Sequence, residues 1–157
     1  MVVARASLRS VLGIPLRAAW APALVFSLHV FISRVLNAYL WFPPLDIPMH
    51  FFGGVAIAYF FASCLRVLPA DAIAYELRTW LVATLVFALT STATVFWEFA
   101  EFFSDRLFGT HAQLGLEDTL LDMALGVAGG LIYLAMAFWA RRVGEPARPH
   151  PEASDLP

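Results

Sequence analysis

Asp46, His50 and Gly54 follow one another at intervals of four, and Asp118, Asp122 and Gly126 repeat the pattern. On a helix, positions i, i+4 and i+8 form one slightly drifting stripe. Each stripe therefore stacks two ionisable side chains above a residue small enough for close helix contact. Glu98, Glu101 and Asp105 follow at spacings of three and four, and so share one helical face. Carboxylates with a histidine are competent ligands for a divalent metal, and Asp46, His50, Asp118 and Asp122 form the candidate set. The same groups suit general acid and base work, with His50, Glu98 and Asp122 as the catalytic candidates. Crowding and desolvation separate the proton affinities of neighbouring carboxylates. Binding and release of protons or cations during transport is a further use. Against all of these stands a buried hydrogen-bond and ion-pair network that only holds helices together.

Arg34 lies seven residues before Trp41, about 10 Å along a helix. It is expected to pair with Glu98 or Asp122, since an arginine at that depth needs a partner. Arg34 and Arg106 are the candidate partners of a phosphate or carboxylate headgroup. Glu101 and His111 complete the substrate-binding set. His29, Ser33 and Asn37 lie along an adjacent arc that can extend a polar path, although His29 alone reads more simply as a satisfied core histidine.

The elements that must carry these residues are apolar. The chain has 157 residues, 61% hydrophobic and only 14% charged, with a mean hydropathy of +0.74. A soluble domain carries about 25% charged residues. Four apolar runs cover approximately 18–40, 48–68, 80–103 and 119–140, and crossing a bilayer takes about 20 residues. The expected fold is all-α, a polytopic membrane protein with four transmembrane helices arranged as two antiparallel hairpins. The matching stripes place the second and fourth spans in equivalent positions, which points to an internal duplication of a two-helix unit. Gly126-x-x-x-Gly130 and Gly54-x-x-x-Ala58 are small-residue spacings that let helices approach closely in lipid. The run 80–97 rises roughly 27 Å, which puts Glu98 level with His50 and Asp122.

All ten basic residues are arginine, which excludes lysine Schiff-base chemistry. Arg5, Arg9, Arg17, Arg66, Arg78, Arg141, Arg142 and Arg148 fall on one side of the expected spans, and the positive-inside rule makes that side cytoplasmic. Both termini are then cytoplasmic, and loops 41–47 and 104–118 face outward from a bacterial inner membrane. Residues 1–17 are expected to form an amphipathic lead-in and 144–157 a disordered tail. The stretch after the first arginines is long and lacks a small-residue cleavage site, so it reads as a retained anchor. Cys64 is the single cysteine, so no intramolecular disulfide forms. Membrane lipid is the expected partner, with homo-oligomers also expected and nucleic acid not.

The run Phe108-Gly109-Thr110-His111, then Glu117-Asp118-Thr119 and Asp122-Met123, resembles a signature of the YjdF-type family of bacterial inner-membrane proteins. Trp97-Glu98 and Asp46-x-x-x-His50-Phe51 look like that family too, and His111 stands where its pattern carries glutamine. More distantly the arrangement is similar to VanZ-like membrane proteins, some of them associated with glycopeptide resistance and the cell envelope. The resemblance covers about 45–130 and implies that Asp46, His50, Glu98, Asp118 and Asp122 belong to a shared pattern. Three functions follow as expectations: a lipid- or envelope-substrate modifying or binding protein with an outward site, a small proton- or cation-coupled transporter, and a non-catalytic assembly protein.

Overall fold

Helix-breaking residues divide the chain where its apolar runs end. In the computed structural model, which describes residues 8–66 and 75–144, six α-helices follow one another and no strand occurs among the described residues. Helix α1 covers Leu8–Ala18 and α2 covers Trp20–Val30, continuing as a single π turn over Phe31–Val35. Asn37 then takes a left-handed conformation (φ 49°, ψ 32°), which asparagine tolerates better than most residues. A one-turn helix α3 (Ala38–Trp41) and a 3₁₀ turn at Pro43–Leu45 lead into α4, Asp46–Leu65. Helix α5 runs over Tyr75–Phe108 and α6 over Leu116–Gly144.

Three helical stretches are long and apolar enough to cross a membrane: Pro43–Leu65, Leu77–Phe108 and Leu116–Arg141. The expected first span over 18–40 is not one continuous helix. Its apolar part, Trp20–Val35, falls short of the roughly 20 residues that crossing takes, because the left-handed Asn37 ends it. The expected loop over 104–118 is also shorter, since α5 persists to Phe108 and α6 begins at Leu116. The first part of the lead-in, with Arg5, and the tail beyond Gly144, with Arg148, lie outside the described residues, as does 67–74.

Helices α4 and α6 touch backbone to backbone. A Cβ added at Gly54 would overlap the carbonyl of Gly126, and one at Gly129 would overlap that of Phe51. Such contact needs a residue without a side chain at the point of approach. Gly130 faces elsewhere: a Cβ there would come 2.9 Å from Thr90 Cγ2 of α5. Gly126 also abuts α5, through Thr94. The Gly126/Gly130 spacing thus serves α5, while Gly126 with Gly129 serves α4. With Gly54 beside Gly126 and His50 beside Asp122, the two stripes lie side by side in matching register on parallel helices.

Helix α2 packs along α4 in the opposite sense and so runs in the same direction as α5. Trp20 meets Tyr59 edge-on at 5.9 Å near one end, and Phe26 meets Trp97 at 6.0 Å toward the other. The outer surface is apolar: Trp80, Phe96, Met136 and Trp139 are each about two-thirds exposed. Soluble monomers rarely display apolar surface this extensive, and a lipid environment accounts for it.

Candidate functional site

His50 lies one turn into α4, just past Pro48, which is accommodated in the first turn. Its side chain is only 8% exposed, with Nε2 lying 3.4 Å from Asp46 Oδ1 and 3.8 Å from Asp122 Oδ2. Nδ1, on the other side of the ring, lies 3.9 Å from Glu98 Oε1. Asp46, His50 and Asp122 offer ligand atoms within 4.8 Å of one another, and His50, Glu98 and Glu101 do the same. Three helices thus bring four carboxylates around one imidazole. Glu98, Glu101 and Asp122 are 4%, 9% and 3% exposed, a burial that carboxylates reach only with strong partners.

Those partners are incomplete. Glu101 accepts a hydrogen bond from Trp97 Nε1 at 2.8 Å. Gln113 Nε2 donates to the Glu98 carbonyl at 3.1 Å and to its Oε2 at 3.4 Å. Glu98 Oε1 and His50 Nε2 have no hydrogen-bond partner among the described residues.

Gln113 reaches Glu98 because the connection between α5 and α6 folds back over the bundle end. Gly109, left-handed at φ 64°, closes α5 with its N–H on the Asp105 carbonyl at 3.1 Å. The Asp105 carboxylate then gathers the loop, accepting from the Thr110 hydroxyl and from the N–H groups of Ala112 (2.8 Å) and Gln113 (3.0 Å). Asp118 accepts the Leu114 N–H at 3.0 Å.

Next to the cluster a cavity of about 280 Å³ opens between α2, α4 and α5. Val25, Phe26, Met49, Ile57, Ala93 and Trp97 make its wall apolar, and His50 and Gly126 border it as well. His29, also on this wall, contacts the Tyr39 hydroxyl through Nδ1 at 3.1 Å and meets Trp97 edge-on at 5.2 Å.

Residues 4–143, nearly the whole chain, match the family described as Predicted membrane protein (DUF2238). The chain belongs to the DUF2238 family. That is the YjdF-type family, whereas the more distant likeness to VanZ-like proteins is not carried. An uncharacterised protein of Thermotoga maritima is 31% identical over 107 residues, 65% of this chain and 52% of its own length. The DUF2238 chain thus spans about half the length of that relative. No solved structure matches it significantly.

The structure brings five of the residues singled out in the sequence together: Asp46, His50, Glu98, Glu101 and Asp122. Asp118 instead ties down the loop. The expected pairing of Arg34 with Glu98 or Asp122 does not occur. Arg34 sits in the π turn just before the Asn37 break, off the α-helical register. It is exposed and makes no ion pair with a described residue. Arg106 is exposed with its guanidinium 5.4 Å from the Phe102 ring centre, and His111 is exposed in the loop. Neither reaches the cluster. Sequence reasoning missed Gln113, which no periodicity marks, and the role of Trp97, which its i, i+4 spacing to Glu101 signals. In this DUF2238 chain a glutamine at 113, two residues after His111, touches the cluster.

Proposed function

We propose that this DUF2238 protein is a bacterial inner-membrane protein that binds an amphiphilic envelope lipid and modifies its headgroup. One observation carries the reading: His50 belongs both to the carboxylate cluster and to the wall of the apolar cavity. A polar group against the cluster would place its hydrocarbon chain along Phe26, Met49 and Ile57. Ligand pockets of about 300–1,000 Å³ share this plan of apolar walls with a few convergent polar groups, and a cavity open between helices takes the rest of a chain into the bilayer. His50, Glu98 and Asp122 would then act as acid and base at the headgroup. The outward orientation of the acid end and a cytoplasmic C-terminus complete the proposal. They are supported by the arginines: Arg66, Arg78 and Arg141 line a cleft at the bundle end opposite the acids.

A transporter finds less support. The polar trail along α5 passes half-buried Thr94 and buried Thr90, but one turn further Val86 is fully buried and apolar. An assembly protein would need the cluster only for stability.

Delipidated full-length protein reconstituted with phosphatidylglycerol and examined by native mass spectrometry tests the proposal. The expected outcome is retained lipid in the wild type and loss on filling the cavity with Ile57→Trp. His50→Ala and Asp122→Asn should weaken retention about tenfold, the equivalent of 1.4 kcal/mol, with helicity unchanged. Equal lipid retention by wild type and Ile57→Trp would sink it. A drop in thermal stability without any change in retention would favour the assembly role.

A further inference from the structure

The charges around His50 do not balance. Asp46, Glu98, Glu101 and Asp122 converge there, and among the described residues every ion-pair contact of these acids is with His50. Arg34, the counter-charge expected from the sequence, points elsewhere. Buried charges are paired or coordinate metals, and one imidazolium offsets only one of four carboxylates. The remainder calls for protons or for a cation.

Two observations favour a cation. The first is the orphaned atom His50 Nε2, on a side chain only 8% exposed and between Asp46 and Asp122. Buried polar atoms without partners mark places where an ion or water is missing from the count. The second is spacing. Nε2 lies 3.4 Å from Asp46 and 3.8 Å from Asp122, longer than the roughly 3.2 Å limit of a good hydrogen bond. Ligand atoms about 2.0–2.2 Å from a tetrahedral metal are separated from each other by about 3.4 Å. The Asp46 separation equals that of neighbours around an ion, and the Asp122 separation lies a few tenths of an ångström beyond it.

We propose that His50 Nε2, Asp46 and Asp122 hold a divalent metal ion of the zinc or manganese class. One imidazole with two carboxylates is a donor set that suits such ions. Ligation through Nε2 leaves the proton on Nδ1, which faces Glu98 across 3.9 Å. A carboxylate accepting from the second ring nitrogen is the usual support of a ligating histidine, and Glu98 stands beside that nitrogen without closing the bond. Three protein ligands leave a coordination position open, and a phosphate headgroup is a fitting occupant. The inference deepens the lipid proposal at the same site, making His50 and Asp122 ligands and leaving the proton-transfer role to Glu98, and rests on it only for what fills that open position.

The test uses full-length protein in detergent, stripped with chelator, reloaded with Zn²⁺ or Mn²⁺, desalted and assayed for bound metal and for thermal stability. Wild type is expected to retain about one ion per chain and to melt at a higher temperature when loaded, as a ligand of the folded state requires. His50→Ala, His50→Gln and Asp122→Asn should lose affinity by more than the 10–100-fold typical of removing an outer-shell partner. Gain of stability on loading should vanish in the same variants. No bound ion in the wild type, or equal retention by wild type and His50→Gln, overturns the proposal. Phosphatidylglycerol retention separates the two readings. Metal bound with lipid retention unchanged by Ile57→Trp leaves the ion standing without the lipid, and lipid bound without metal does the reverse.

Discussion

At the residue scale the site depends on side chains that never enter it. Asp105 holds the loop that delivers Gln113, and Gln113 is the donor on Glu98. Asp105→Ala removes the acceptor of the Ala112 and Gln113 N–H groups. Amide exchange at both positions is expected to accelerate, with a stability loss of about 1 kcal/mol for the lost bonds and helicity intact. Unchanged exchange would show that the loop is held by other contacts. Gln113→Ala should leave the loop protected and affect Glu98 alone, so its stability cost should be the smaller. The acids and His50 were legible in the sequence because helical spacing alone puts them on common faces. Gln113 was not, since a residue in an irregular loop has no period to betray it. Nor was the exposure of Arg34, which follows from one left-handed residue three positions away.

At the element scale the positions of the glycines decide how close the helices come. Gly129→Leu on α6 would drive a side chain into the Phe51 carbonyl of α4, where no rotamer change relieves the overlap. Overpacking costs about 1–3 kcal/mol or more, so a markedly lower unfolding temperature in detergent is expected. Gly53 is the control. A Cβ there meets nothing within 4 Å, and Gly53→Ala should be neutral or stabilising by up to about 1 kcal/mol. Equal destabilisation by both substitutions would refute the backbone contact. The parallel stripes allowed the α4–α6 contact to be anticipated from Gly54 and Gly126. The motif Gly126-x-x-x-Gly130 was only half informative, because spacing cannot say which neighbour each small residue meets. Gly130 meets Thr90 of α5.

At the scale of the whole molecule, charge is polarised along the bundle. The carboxylates and loop 109–115 gather at one end, and Arg66, Arg78 and Arg141 at the other. The proposed orientation makes the acid end extracytoplasmic. In a Cys64→Ala background, Ala112→Cys should react with a membrane-impermeant maleimide in intact cells. Native Cys64, two residues before Arg66, should react only after lysis. The opposite pattern would invert the topology. Apolar composition made the all-helical class plain, and three of the four expected runs form helices of crossing length. The first run, 18–40, breaks before crossing length, and hydropathy missed this because it records only what a segment contains. Asn37 changes the backbone's direction without changing the average.

The close contact of α4 with α6 also bears on how the molecule is made. The two helices are separated in the chain by all of α5, so the ribosome releases α4 long before its partner exists. Throughout that interval Gly54 faces an empty groove, and His50 lacks Asp122. Ionisable groups within a membrane are costly until they are met. A chain halted before α6 therefore retains an unfilled groove at Gly54 and an unmet histidine at His50.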